Sequence, residues 1–214
     1  MSKILYPVQE KYIQSFRNKP DLLLKEMEKY AKVNNVPILS WQSAEFIEQL
    51  VLMNSPKRVL EIGTAIAYTS IRIARNLRNN AVIHTIELSE DNINTAKRFI
   101  EKSGVKEKIK LIEGDALKIM PGLKTNYDFI FLDADKTDYK RLFNYAMILL
   151  KKGGLIVIDN LLWQGYAAVT TKIPSKYKVS ARSIKEFNKL FIQHPKLKTT
   201  ILPIGDGIGL GIKK

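Results

Sequence analysis

The sequence predicts an α/β fold built on a mainly parallel sheet, and three observations carry that prediction. Short β-branched runs alternate with helical patterns through the middle of the chain, the runs are apolar on both faces, and most of them end at or beside an acid. Strands covered by helices on both sides read as continuous apolar runs. Alternating β and α units place such strands side by side in one parallel sheet.

The elements follow in order. Residues 8–16, 21–33 and 41–53 read as helices, the third opened by Ser40 as N-cap. The strand runs are 57–62, 81–87, 109–113, 127–133 and 155–159. Between them, 69–77 carries apolar residues at helical spacing, Ser89 can cap a helix ending near Gly104, and 139–150 stops before Gly153 and Gly154. A helix over about 180–193 precedes two further strands, 199–203 and 208–212, which flank Gly205-Asp206-Gly207 as an antiparallel hairpin closing the sheet. The sequence shows no repeat, low-complexity tract or linker, so 1–214 is expected to be one domain, with N-terminal helices over 1–53 and an α/β core over 57–214.

Composition narrows the chemistry. The chain has 214 residues, 35 Lys and Arg against 21 Asp and Glu, no Cys and two His. Disulfides, thiolate metal sites and cysteine nucleophiles are excluded, and His84 and His194 alone make a zinc site or a Ser-His-Asp triad hard to build. No apolar run approaches membrane-spanning length and residues 1–16 lack the apolar segment of a signal peptide, so a cytoplasmic protein without membrane contact is expected. The formal charge of +14 makes an anionic partner a question from the start.

Ligands of open α/β sheets bind at the carboxyl ends of the strands. There the sequence places Glu61 with Gly63, Glu87, Asp115 beyond Gly114, Asp133, and Asp159-Asn160. Any one of these acids alone is better explained as a helix cap or turn residue; together they favour a site. The turn from Glu61 to Ser70 has one glycine suited to close backbone approach but no G-x-G-x-x-G and no Walker lysine, which argues against a pyrophosphate. Glu87 is placed to accept two ribose hydroxyls. An adenosine-type ligand without a diphosphate, such as S-adenosylmethionine, fits both features. Asp133, Asp159 and Asn160 offer hard oxygen ligands for a Mg²⁺-like ion, with Asp135 and Asp138 crowding the same loop. Lys136 can act as a base if its pKa is lowered beside a cation, and is otherwise an ordinary solvated or paired lysine.

These residues resemble the cation-dependent O-methyltransferases of the catechol and caffeoyl-CoA type, within the Rossmann-like class I S-adenosylmethionine-dependent methyltransferases. The carriers are Glu61-Ile-Gly63-Thr64, Tyr68-Thr69, Glu87, Gly114-Asp115-Ala116, Asp133 with Lys136 and Tyr139, Asp159-Asn160, Trp163 and Asp206-Gly207. The resemblance implies a seven-stranded sheet and a homodimer, with the N-terminal helices as interface. It implies that Glu61 and Gly63 line the methionine of the cofactor, with Thr69 near its carboxylate and Leu39 at the rim. Glu87 would hold the ribose and Asp115 with Ala116 the adenine, Gly114 and Asp133 completing the set. Asp133, Asp159 and Asn160 would bind Mg²⁺, and Lys136 with Asp133 would be catalytic. Ala67 stands where the family usually has glycine.

Within the family the chain resembles the bacterial tRNA 5-hydroxyuridine methyltransferases. Residues 164–214 hold ten Lys and Arg against Glu186 and Asp206, +8 of the +14. Lys172, Lys176, Lys178, Arg182 and Lys185 lie in a stretch without an acid, just after the proposed metal ligands. The expected substrate is therefore the anticodon region of tRNA, held by that basic surface. A small catechol-like acceptor is the alternative. A nicotinamide-dependent oxidoreductase lacks its glycine fingerprint, and an RNA-binding module without catalysis has no use for the Asp133, Asp159 and Asn160 set.

Overall fold

A computed structural model describes residues 6–169 and 172–214. One seven-stranded sheet has the order β3-β2-β1-β4-β5-β7-β6. Strands β1 (Arg58–Ile62), β2 (Val82–Glu87), β3 (Ile109–Glu113), β4 (Tyr127–Leu132) and β5 (Leu150–Ile158) pair in parallel. Strand β7 (Ile208–Lys213) joins β5 antiparallel, and β6 (Leu197–Leu202) lies beyond it, forming the expected hairpin.

Alternation along the buried strands divides the core into two layers. Phe129 and Phe131 of β4 and Val157 of β5 pack on one face with Met27, Ile47, Ile71 and Phe99. These come from α2 (Leu22–Val33), α3 (Trp41–Asn54), α4 (Tyr68–Asn76) and α5 (Glu90–Lys102). Ile130, Leu132, Ile156 and Ile158 point the other way, onto Tyr139, Phe143, Phe187 and Phe191. That layer is closed by the one-turn helix α6 (Ala116–Ile119), α7 (Tyr139–Leu149) and α8 (Lys178–Ile192). Each fully buried side chain of this size contributes about 1.5–3 kcal/mol. A period of two in the strands thus feeds both layers.

The helix starts are chemical. Asp21 accepts the Leu24 amide at 2.9 Å, Ser40 the Ser43 amide at 3.2 Å, and Ser89 the Asn92 amide at 3.4 Å. At the far end of α7, Lys213 Nζ donates to the carbonyls of Met147 and Leu150, both at 2.6 Å, binding the hairpin to a helix terminus that favours a cation. Helix α1 (Pro7–Ser15) buries none of its residues and leaves Tyr12 and Val8 in solvent. Strand β5 starts at Leu150, immediately after α7, and runs through Gly153 and Gly154. It is therefore longer than the five residues read from the sequence, and its register with β4 shifts between Tyr127 and Phe129.

From β1 the chain pairs outward to β2 on one side and returns as β4 on the other. This reversal opens a crevice at the carboxyl ends of the strands. Backbone bonds knit those ends together: Gly63 N–H donates to Ile86 O at 3.1 Å, Asp133 N–H to Ile62 O at 3.0 Å, and Asp159 N–H to Leu132 O at 3.1 Å. Gly63, Asp133 and Asp159 consequently stand in a row.

Candidate active site

A cavity of about 780 Å³ lies over that row. One half is lined by Gly63, Ala65, Glu87, Gly114, Asp115 and Ala116, and the other by Asp133, Lys136, Asp159, Asn160, Trp163 and Tyr177. The sequence-derived residues therefore meet, but their roles in the free protein differ.

Gly63 has φ +100° and packs against the Asp133 carbonyl so closely that no Cβ fits. The turn after it holds Ala65 at φ 47° and Ala67 at φ 68°, both left-handed. That conformation explains why a glycine would suit position 67. Glu87 fastens the same turn: its Oε2 accepts the Ala65 amide at 2.8 Å, while Oε1 accepts Leu88 and Ser89 amides at 3.1 and 2.9 Å. Asp115 caps α6 through the Leu117 amide at 2.8 Å while facing the cavity.

Glu61, Thr69 and Leu39 are not on the cavity wall. Glu61 sits on the α4 face of β1, two residues short of Gly63, where the strand reaches the cavity. It is fully buried, with Oε2 accepting from Ser70 Oγ and, at 2.6 Å, from Thr85 Oγ1, and with Oε1 lacking a partner among the described residues. Burial pushes its carboxyl up to about 8, against the pull of the two hydroxyls. Thr69 and Leu39 are buried in the core, and the rim beside Leu39 is made by Pro37 and Ile38 instead. Ser40 fixes where α3 begins, but nothing in the residue pattern says which residue before it faces inward.

In the second half, Lys136 is 9% exposed and donates to Asp133 Oδ1 at 2.8 Å and Ala134 O at 2.9 Å. Its Nζ also sits 5.0 Å from the Tyr139 ring centre and 5.5 Å from that of Trp163. Burial works against its charge, but the Tyr139 oxygen and Asp133 outweigh it and hold the pKa above the ordinary lysine range. This is the reverse of the lowering on which a resting base would depend. Asp159 is 5% exposed and its Oδ1 has no hydrogen-bond partner among the described residues. Burial and the neighbouring Asp133 charge raise its pKa.

Among the described residues, no group of three or more Asp, Glu, His or Cys side chains is gathered to hold a metal ion. This corrects the expectation of a ready-made Mg²⁺ site. Asp133, Asp159 and Asn160 do meet, but as two carboxylates and an amide, with the Lys136 ammonium already on one of them.

Sequence reading named Trp163 and Asp206 on the opposite wall without giving them a role, and missed Tyr177. Trp163 donates Nε1–H to Ser180 Oγ at 2.9 Å, Tyr177 stacks on Tyr166 at 5.3 Å, and Asp206 accepts the Gln164 amide at 2.6 Å. An acid-free stretch containing two tyrosines was the available signal, and its charge drew the attention instead.

The crevice at the strand reversal, the glycine turn and the acid ending β2 define a Rossmann-like class I methyltransferase with added N-terminal helices. The family described as O-methyltransferase matches residues 14–214, and the chain belongs to that family. Caffeoyl-CoA O-methyltransferase 5 of Nicotiana tabacum is 34% identical over 82% of this chain and 77% of its own length. The tapetum-specific methyltransferase 1 of Arabidopsis thaliana is 32% identical over 77% of this chain and 73% of its own. A candidate caffeoyl-CoA O-methyltransferase from Staphylococcus aureus superposes with TM-score 0.90 at 31% identity, covering 97% of this chain and all (100%) of the other. An O-methyltransferase from Bacillus cereus in complex with S-adenosylhomocysteine gives 0.85 at 26%, covering 97% of each chain. The protein is an S-adenosylmethionine-dependent methyltransferase.

These relatives overturn the tRNA expectation, since those named for a substrate are caffeoyl-CoA enzymes. The basic surface is also less of a unit than its sequence suggests. Arg182 is paired with Glu186 at 2.9 Å, and Lys176 lies over the Tyr177 ring at 4.7 Å on the cavity wall. Lys172, Lys178 and Lys185 are exposed, and residues 170 and 171 of the stretch lie outside the described residues. An exposed row of lysines is an ordinary solvated surface. No helix among the described residues is long and apolar enough to cross a membrane.

Proposed function

We propose that this chain, working as one domain in the cytoplasm, transfers the methyl group of S-adenosylmethionine to one of two vicinal hydroxyls on a small aromatic acceptor of the catechol or caffeoyl-CoA type. The observation that carries the reading is the meeting of Asp133, Lys136, Asp159 and Asn160 with the Trp163 and Tyr177 rings in one cavity, continuous with the Gly63 and Glu87 half. Cofactor binding is assigned to Gly63, Glu87, Gly114, Asp115 and Ala116, with Asp133 at the junction. Glu61 supports the turn from beneath.

Transfer needs the acceptor oxygen held in line with the sulfonium methyl, and orientation of this kind supplies much of the rate. The aromatic wall holds the ring plane. Lys136 enters as an ammonium beside Asp133 and steadies the negative charge that develops on the acceptor oxygen. It serves as the base only after its own proton has left. The donor set fits a divalent cation in one respect, the buried and unpartnered Asp159 Oδ1 beside Asp133 and Asn160. Those three residues would hold the ion, which when bound lowers a chelated hydroxyl's pKa.

The test is incubation with S-adenosylmethionine and caffeoyl-CoA, with and without EDTA, followed by mass spectrometry. A monomethylated product that EDTA suppresses supports the whole reading. A product indifferent to EDTA removes the cation, and no methylation of caffeoyl-CoA or simple catechols by protein that binds the cofactor removes the acceptor class.

A further inference from the structure

The loop after β5 holds three non-glycine residues in left-handed backbone: Asn160 at φ 61°, Trp163 at 46° and Gln164 at 53°. Such strain persists only where the surroundings over-determine it. The turn between β6 and β7 does so. Asp206 Oδ1 accepts the Gln164 amide at 2.6 Å, the Asp206 carbonyl accepts the Leu162 amide at 2.9 Å, and the Gly207 carbonyl accepts the Leu161 amide at 2.9 Å. Gly207 is pressed so close to Leu162 that a side chain there would meet its backbone.

The second oxygen of Asp206 bears on the chemistry. Asp206 Oδ2 lies 3.5 Å from Asn160 Nδ2, at the outer limit of a hydrogen bond, and both residues line the cavity. The Asn160 amide is turned so that its Nδ2 meets this oxygen, which accepts from it. Asn160 Oδ1 is then left for the cavity. We propose that Asp206 is a positioning residue for methyl transfer, setting the Asn160 carboxamide so that its oxygen and not its NH₂ group meets the acceptor side. The inference rests on the placement of Asn160 at the acceptor, given above.

The isosteric Asp206→Asn separates this role from a structural one. Its carbonyl can still accept the Gln164 amide and keep the loop, but its NH₂ opposes that of Asn160 and favours the flipped amide. On the free protein, side-chain ¹H–¹⁵N spectra should show the Asn160 NH₂ resonances losing protection from exchange. With caffeoyl-CoA as acceptor, kcat should fall about 10- to 100-fold, the range for groups that orient a reacting centre, at unchanged S-adenosylmethionine affinity. The exchange variant Asp206→Asn with Asn160→Asp rebuilds donor and acceptor in swapped positions and should recover part of the loss. Unaltered Asn160 resonances, or a kcat within about twofold of wild type where a lost hydrogen bond predicts more, would overturn the proposal. Full activity in Asn160→Ala would overturn both it and the acceptor-site placement. A protein that does not methylate caffeoyl-CoA at all fails the functional reading, while the spectra still decide the contact.

Discussion

The carbonyl oxygen of Asp133 occupies the space that a side chain on Gly63 would need. The tips of β1 and β4 are thereby locked at backbone contact, and the Asp133 amide returns the bond to Ile62 O at 3.0 Å. In the proposed reading the two halves of the cavity hold cofactor and acceptor and share this junction, so its geometry sets the distance between methyl donor and acceptor.

Gly63→Ala should therefore be costly twice over, through φ +100° and through the collision. We expect a loss of about 2–5 kcal/mol, the sum of a left-handed penalty and overpacking, with cofactor binding lost as well. Urea unfolding and calorimetry check this, and wild-type values for both would refute the contact.

The opposite change is expected at Ala67, which is fully buried and left-handed at φ 68°. Ala67→Gly relieves that strain against the extra freedom of glycine in the unfolded chain and the loss of one buried methyl, for a net gain of up to about 0.5–1 kcal/mol. A rise of about 1–4 °C in Tm should follow for a domain of this size. A lower Tm would mean that the lost methyl group mattered more than the backbone.

Glu61 makes a pH prediction. Its carboxyl stands at about 8 in the folded protein because burial penalises the charge, against 4.5 as its ordinary value. Between those pH values the folded state binds more protons than the unfolded one, so stability falls as pH rises, by on the order of a few kcal/mol in all. Below the window the carboxyl is neutral in both states, and above it the full penalty is present. Glu61→Gln can still accept from Ser70 and Thr85 and should flatten the slope from about pH 5 to 8. An identical pH profile in the variant would show that Glu61 is not the titrating group.

Much of this fold was legible because its signals are local and periodic. Phe129 to Leu132 announces a doubly buried strand, and Ser40, Ser89 and Asp21 announce helix starts. Glu61 and Asp133 were equally visible as acids near strand ends, yet one is sealed under α4 and the other opens on the cavity. The difference is depth along the sheet: β1 and β4 pair Glu61 with Phe131, so Asp133 stands level with Gly63, two residues further toward the carboxyl end. Which residues of β1 and β4 stand level depends on the register of their pairing, which the run 57–62 does not fix by itself. Asp206 could be recognised as a turn residue, but its partners Asn160 and Gln164 are more than forty positions away and meet it only through the β5-β7 pairing. The basic stretch misled because charge counts carry no information about which lysine already has a neighbour.

The last expectation concerns Asp159, where stability and function should part. It is 5% exposed, its Oδ1 is unpartnered, and the Asp133 charge beside it raises its pKa further. A buried carboxylate without a full set of partners is destabilising once ionised, and the cost grows as pH rises through its folded pKa. Asp159→Asn keeps the shape and removes the charge. The ligand-free variant should be more stable than wild type by about 1–3 kcal/mol in urea at pH 9, and by less at pH 6. Methyl transfer should fall by about 100-fold or more, since removing a charge that organises the acceptor side forfeits roughly 3 kcal/mol of transition-state stabilisation. Paired unfolding and kinetic measurements decide it. Stabilisation with full activity would make Asp159 a strained bystander, and loss of activity with loss of stability would make it a structural member of the β5 end.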